Sequence, residues 1–117
     1  MRTSTWAGAL AALCISGGAL AHHGWSSYDS ERTLKLTGVI QKSGYENPHG
    51  FVDLDAAKEG KWHVVLAPPS RMESRGLPES ALKEGARVTV EGYPHRTTQD
   101  ELRAERITVG DKTVELR

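Results

Sequence analysis

The stretch LKLTGVIQKSGYE, residues 34 to 46, is the strongest indication of architecture in this 117-residue chain. Its apolar residues alternate at Leu34 and Leu36 and continue in the adjacent pair Val39–Ile40, and such alternation predicts a half-buried strand. Gly38 and Gly44 lie inside the pattern, and glycines inside a strand often mark bulges or bends. A long strand that bends is suited to curl across both sheets of a small barrel.

Five more strand-like segments follow that stretch, and turn signals separate them. In KWHVVLA the alternation places Trp62 and Leu66 on one face and His63 on the other. In ELRAERITVG the alternation is imperfect. The segments are FVDLDA (51–56), KWHVVLA (61–67), ARVTVEGYP (86–94), ELRAERITVG (101–110) and TVELR (113–117).

One helix is expected between the third and fourth strands. Pro78 opens PESALKEG and Gly85 closes it, and proline at the first turn with glycine after the last is typical of a short helix. The order of elements predicts an all-β fold: a small five- to six-stranded OB-like Greek-key barrel with one short helix between strands 3 and 4. A small open β-sandwich is the alternative.

The first 21 residues have the pattern of a signal peptide. An uncharged apolar run from Trp6 to Leu20 is too short for a comfortable membrane span and ends in a small-x-small site, which predicts a cut after Ala21. Lipid attachment at Cys14 is the alternative, but the bulky Leu13 before it fits such a site poorly. We therefore expect a periplasmic or secreted protein with no stable membrane insertion after cleavage.

Cleavage would leave 96 residues, which divide into an N-terminal arm (22–33) and an OB-like domain (34–117). Because Cys14 is removed, the mature chain would have no disulfide, thiolate metal site or cysteine nucleophile. Its 14 Lys and Arg against 15 Asp and Glu give a charge of −1. A near-neutral chain lacks the basic character of a nucleic-acid binder, so no nucleic-acid partner is expected.

Several motifs occur together in one order, of which AHHGWSSYD (21–29) and the NPHG turn (47–50) are the most specific. With them, the sequence resembles DUF6152, a family of small exported bacterial proteins of unknown function. The resemblance covers nearly the whole mature chain. It implies export and an OB-like barrel, and it implies no particular activity.

The predicted mature N-terminus is a candidate metal site. If His22 is the first residue, its α-amino nitrogen and its Nδ1 form a chelating pair, and a third imidazole would complete a three-nitrogen site that suits copper. His23 offers a second mode through the amine, the backbone nitrogen and its own ring. The α-amino pKa near 7.7 to 8.0 leaves part of the amine unprotonated at neutral pH. The alternative is a frayed terminus that binds nothing.

The third copper ligand could come from His49, His63 or His95, of which His49 and His95 are preferred. His95 follows the fourth strand, which pairs antiparallel with the first in an OB barrel, so we expect it beside the arm. His49 lies at the far end of the first strand, within reach of an extended arm of about 40 Å. Each has the alternative of an ordinary structural or surface histidine. A structural zinc is disfavoured without cysteines.

A second hypothesis is a binding module for a small anionic or carbohydrate ligand. OB barrels bind such ligands on the face of strands 2 and 3, which directs attention to Trp62, His63 and Arg71. The alternative for the arginines is a solvated surface with ion pairs. The arginines concerned are Arg71, Arg75, Arg96, Arg103 and Arg106.

A third hypothesis is an adaptor that contacts an envelope protein through Trp25, Tyr28 and the arm. No enzymatic activity is expected. Ser26, Ser27 and Asp29 are close to the histidines in sequence, but such proximity does not build a catalytic triad. The sequence also carries no nucleophile elbow, zinc-protease helix or phosphate loop.

Overall fold

The structure is a computed structural model that describes residues 24–117. The signal peptide predicted over 1–21 and the candidate ligands His22 and His23 lie outside the described residues. Within residues 24–117, three short 3-10 turns join or precede the regular elements, at Trp25–Ser27, Ala57–Glu59 and Glu79–Leu82. The strands and the α-helix are β1 (Leu34–Gly44), β2 (Phe51–Asp55), β3 (Lys61–Val65), α1 (Pro69–Ser74), β4 (Arg87–Pro94), β5 (Glu101–Val109) and β6 (Lys112–Glu115).

The strands form one closed barrel. Their order is β3-β2-β1-β4-β5-β6, and a parallel pairing of β3 with β5 closes the first five strands into a ring. The other neighbouring strands pair antiparallel. The predicted all-β OB-like barrel is confirmed, with β6 as an extra strand on β5, and the open sandwich is not what forms.

Strand β1 curls as its sequence suggests, and the residue at its middle pairs with both neighbouring strands, β2 and β4. Val39 pairs with Asp55 of β2 on one side and with Arg87 of β4 on the other. The register against β2 shifts at Gln41, between the two glycines of the strand. A Cβ on Gly38 would lie 2.2 Å from the backbone oxygen of Asp55, so the curl brings the strands too close for any side chain there.

The imperfect alternation of β5 has a structural cause. Glu91 of β4 pairs with Arg106, whereas the next residue of β4 pairs with Ala104, so Glu105 is the extra residue of a β-bulge. The bulge shifts the inward-facing positions by one residue. Leu102 and Ala104 are therefore buried before it, and Ile107 is buried after it.

The helix between β3 and β4 exists, but its predicted position over 78–85 was wrong. The α-helix is α1, which begins at Pro69, the first helical position after an extended Pro68. Proline suits that position because its backbone already has a helical φ and no N–H to satisfy. The segment after Pro78 forms only a 3-10 turn that ends where Lys83 becomes extended.

The barrel interior is a single apolar core. It is closed at the side of α1 by Met72, Leu77 and Leu82, each exposed by 1% or less. No helix within residues 24–117 has the length and hydropathy needed to cross a membrane. The strand residues at the centre of the core include Leu36, Ile40, Val52, Leu54, Val64, Val90, Leu102, Ala104 and Ile107.

The described part of the arm, residues 24–33, is bound to the barrel at the end of β4. Asp29 donates its backbone N–H to Pro94 (2.8 Å), and Arg96 donates its own to Ser27 (2.9 Å). Tyr28 forms an isolated antiparallel bridge with His95. The side chain of Tyr28 is 7% exposed, so this segment is an integral part of the fold.

Candidate functional site

A concavity in the described part of the chain is lined by residues of β2 and β3 together with neighbouring segments. We call it the β2–β3 groove; it has a volume of about 350 Å³, which is within the range of small-molecule sites. Its walls come from β1, β2, β3 and the loop that joins β4 to β5. The lining residues are Gln41, Asp53, Leu54, Lys61, Trp62, His63 and Asp100.

Two cross-strand neighbours form the polar centre of the groove. Asp53 of β2 lies opposite His63 of β3 in the sheet register, and its Oδ1 is 2.7 Å from the Nδ1 of His63. The His63 ring also lies 5.0 Å from the ring of Phe51, centroid to centroid. Both members of the pair are about two-fifths exposed, so a ligand in the groove can reach them.

Two other residues are fixed at the groove by backbone contacts. Trp62 donates its Nε1–H to the carbonyl oxygen of Glu59 at 2.9 Å, which holds the indole in one orientation. Asp100 is in the left-handed region with φ 59, and its carbonyl oxygen accepts the backbone N–H of His63 at 2.9 Å. The loop between β4 and β5 is thereby joined to β3.

The structure brings together two of the three predicted ligand-binding residues. Trp62 and His63 both line the groove, whereas Arg71 lies on α1 and donates to the carbonyl oxygen of Leu116 at 3.1 Å. Sequence analysis missed Asp53 and Asp100 as groove residues. Asp53 has a signal, because it alternates with the buried Val52 and Leu54, but the position of Asp100 depends on barrel closure.

A second cluster surrounds Arg103, which the sequence offered only as one of five arginines of a possible anion-binding patch, with nothing to indicate its burial. Arg103 is only 6% exposed, and its guanidinium carbon lies 4.4 Å from the ring centroid of Trp25. Arg117 lies at the same distance from that ring, and Tyr93 meets Trp25 edge to face at 6.0 Å. Trp25 therefore contacts the barrel through cation–π and aromatic contacts.

His49 is adjacent to this buried cation. Its Nε2 lies 3.4 Å from the Nη2 of Arg103, so the neutral ring accepts from the guanidinium. Burial lowers the pKa of His49, and the positive charges of Arg103 and Arg71 lower it further. The surroundings of His49 thus favour its uncharged form and repel a cation.

The Nδ1 of His95 accepts hydrogen bonds, whereas a metal-bound histidine usually donates from the nitrogen that does not bind the metal. The Nδ1 of His95 accepts the backbone N–H groups of Thr97 (3.1 Å) and Thr98 (2.9 Å), which places the proton of the neutral ring on Nε2. Metal-bound histidines instead donate an N–H from their second nitrogen. Its ring also packs edge to face on Tyr28 at 4.9 Å.

Of the four predicted metal ligands, the structure describes His49 and His95. Within the described range, no group of three or more His, Cys, Asp or Glu side chains is arranged to hold a metal ion. The other two predicted ligands, His22 and His23, precede that range. The three-nitrogen copper site accordingly remains a prediction.

The remaining arginines each bond to groups of the chain itself. Arg106 bonds Glu91 and Glu115, each at 2.9 Å, and these contacts raise its pKa. Arg75 donates to the carbonyl oxygens of Glu115 (2.7 Å) and of the final residue (3.0 Å). The exposed Arg96 donates to the carbonyl oxygen of Ser26. These three arginines thus have partners within the folded chain.

The residues expected to contact an envelope protein contact the barrel. Tyr28 donates its hydroxyl to Glu101, and burial together with that carboxylate raises the pKa of Tyr28. Trp25 contacts Arg103, Arg117 and Tyr93. Both aromatic side chains thus have intramolecular roles.

Comparisons with known proteins agree with this architecture. A family model described as DUF6152, a family of unknown function, matches residues 10–103. A comparison with curated proteins gave no match. Among solved structures, the chain is similar to one in the complex of TiaS with an isoleucine tRNA and ATP, with TM-score 0.51 and 22% identity over 77% of this chain.

A second similar structure is the S. pombe Stn1–Ten1 complex, with TM-score 0.55 and 17% identity over 69% of this chain. The chain spans 20% of the matched TiaS-complex chain and 60% of the matched Stn1–Ten1 chain. At these identities the similarity shows a shared fold.

Proposed function

The chain belongs to DUF6152, a family of unknown function, and we propose that it is an exported, non-enzymatic binding module whose β2–β3 groove takes a neutral polar ligand of the oligosaccharide class. The observation that carries this proposal is the location of the groove. It lies on strands β2 and β3 and is bounded by Asp100 of the β4–β5 loop, which is the surface that OB barrels use for oligosaccharides and oligonucleotides.

The lining chemistry favours a sugar over a nucleic acid. The groove is lined by two carboxylates, Asp53 and Asp100, and by one lysine, Lys61, so a phosphate backbone would meet net negative charge. Carboxylate and amide groups, the latter from Gln41, accept and donate hydrogen bonds to hydroxyls. The fixed indole of Trp62 adds an apolar surface against which a pyranose ring can pack.

The Asp53–His63 pair is assigned to binding. Its 2.7 Å contact joins two residues that are already opposite each other in the sheet register, so the sheet alone accounts for their proximity. We propose that the pair orients the ligand through hydrogen bonds and carries out no reaction.

The test is isothermal titration calorimetry with chitotetraose and maltotetraose. We expect the unmodified protein to bind at least one of them. Asp100→Asn should weaken that binding about tenfold, since a hydrogen bond to a charged group contributes about 1.5–3 kcal/mol. Asparagine tolerates the left-handed backbone of this position, so the fold is kept.

A matched control is Asp111→Asn, which makes the same change in the exposed β5–β6 turn and should leave the affinity unchanged. Trp62→Ala should abolish detectable binding. Failure of both oligosaccharides to bind the unmodified protein, or equal binding by all variants, would reject the oligosaccharide assignment.

Export to the periplasm or beyond is part of the proposal, and it rests on the leader-like residues 1–21. Mass spectrometry of the protein recovered from the culture medium or the periplasm should give a chain that starts at His22. Recovery of an intact Met1 terminus from the cytoplasm would contradict it.

Copper binding at the mature N-terminus is a second candidate, favoured by the docking of the arm. Hydrogen bonds of Ser27 and Asp29 fix the described part of the arm beside His95, and His23 precedes Ser27 by only four positions in the sequence. The three-nitrogen site would require His95 to release Thr97 and Thr98 or another ring to serve as third ligand.

Copper titration of two forms tests this second candidate. A form that begins at His22 should bind Cu(II) much more tightly than a form with one added residue before it, because only the first has the amine beside that imidazole. Equal copper affinity of the two forms would exclude the terminal chelate.

A further inference from the structure

We propose that Arg103, Arg71 and His49, which we call the arginine cluster, form a binding site for a small oxyanion, either a carboxylate or a phosphate. The three residues come from β5, α1 and the β1–β2 turn. The site is separate from the β2–β3 groove, because none of the three lines that groove.

The first observation is an unbalanced buried charge. Arg103 is 6% exposed, and within residues 24–117 no carboxylate lies at ion-pair distance from it. Residues 1–23 contain no Asp or Glu, so no side chain there can supply one. An arginine stays protonated in a protein, and a buried cation without a partner carries a large desolvation cost.

The second observation is the unused hydrogen-bonding capacity of the same group. Its Nε is buried and has no hydrogen-bond partner among the described residues. The one side-chain hydrogen bond that the described chain gives this guanidinium is the 3.4 Å contact with His49, which lies beyond the usual length for such bonds. The guanidinium stacks on the face of Trp25, and stacking leaves the in-plane N–H donors free for a ligand.

The nearby carboxylates are occupied elsewhere. Glu101 accepts the hydroxyl of Tyr28, and Glu105 pairs with Arg117 at 2.8 Å. Arg71, whose charge acts on both His49 and Arg103, donates to a backbone carbonyl and pairs with no carboxylate of the described chain. Arg103 therefore contacts His49 without an acidic partner, and the charge of Arg71, which also has no acidic partner in the described chain, acts on both.

The geometry of guanidinium groups defines the ligand class. Arginine presents paired N–H groups that match the oxygens of a carboxylate or a phosphate. An oxyanion held by Arg103 and Arg71 would offset the positive charge of the cluster, and its oxygens would replace the long contact of Arg103 to His49. Binding should also stabilise the arm, because Trp25 lies against Arg103.

The test measures thermal unfolding, at low ionic strength, of protein expressed from the full chain. One series of measurements contains inorganic phosphate and a second series contains citrate. A ligand that binds only the folded state raises Tm, and we expect a rise of about 5 °C with at least one anion. The anion that gives the larger rise in Tm identifies phosphate or carboxylate as the preferred group.

Four variants assign the effect to the cluster. Arg71→Gln should remove more than half of the rise, and Arg103→Lys should do the same because lysine keeps the charge but loses the planar fork. Arg87→Gln, an exposed arginine of β4, and Asp100→Asn in the groove should keep the full rise. Should Arg103→Lys fail to fold, Arg71→Gln still decides the matter.

Two results would overturn the proposal. One is no rise in Tm with either anion in the unmodified protein. The other is an equal rise in Arg71→Gln and Arg87→Gln, which would assign the effect to general salt stabilisation.

Discussion

The guanidinium of Arg103 lies over the indole of Trp25 at 4.4 Å, which joins β5 to the segment that precedes β1. This contact covers a cation that would otherwise be on the outer surface of the barrel, since its neighbours Leu102 and Ala104 face the core. Trp25 is thus a structural residue of the domain. The described part of the arm precedes the first strand and packs against the barrel as part of the same folded unit.

Trp25→Ala should lower the free energy of unfolding by about 2–3 kcal/mol, because the variant loses the cation–π contacts and most of the covering surface. Urea unfolding followed by circular dichroism measures this. Trp25→Phe keeps a ring and should recover more than half of the loss. An Ala variant with an unchanged midpoint would show that the arm does not contribute to stability.

Gly92→Ala should be among the most damaging small changes in the chain. A Cβ there would lie 2.0 Å from the backbone oxygen of Arg103, at the bulge where β4 meets β5, and backbone cannot move aside cheaply. We expect a loss of about 3 kcal/mol, seen as a lower Tm. In Gly24→Ala the added Cβ meets nothing within 4 Å, so that variant should unfold like the unmodified protein.

His49 should make stability depend on pH on the acid side. Its folded pKa is below the usual 6.5, so between those two values the unfolded chain binds more protons and stability falls as pH falls. Above about pH 6.5 this contribution is fully present. Urea midpoints measured from pH 7.5 down to pH 5 should show a slope that is reduced in His49→Gln and retained in His63→Gln.

The tyrosines should ionise late in an alkaline titration. Burial is the largest cause that raises the pKa of Tyr28, Tyr45 and Tyr93, and nearby glutamates add to it. Phenolate absorbance should therefore remain low at about pH 10, where a free tyrosine is half ionised. Tyr28→Phe should remove the step at highest pH, and half-ionisation of all three at pH 10 would contradict the observed environments.

The groove could be predicted in part. Alternation placed Trp62 and His63 on opposite faces, and both line the concavity, Trp62 with part of its side chain against the core. Asp100 was out of reach because its place beside β3 depends on the parallel closure of β3 with β5, a contact between segments far apart in sequence. Arg71 was predicted to lie with Trp62 and His63, but its side chain extends from α1 to Leu116. The sequence around Arg71 does not indicate that direction.

The sequence by itself determined the strands, their turns and the all-β barrel, because a backbone with a side-chain period of two residues records burial directly in its alternation. It did not determine the helix position or the bulge at Glu105, where local signals compete. The burial of Arg103 depended wholly on the folded chain. Its cover is Trp25, and a contact between two segments that fold onto one outer face leaves no periodic trace in either of them.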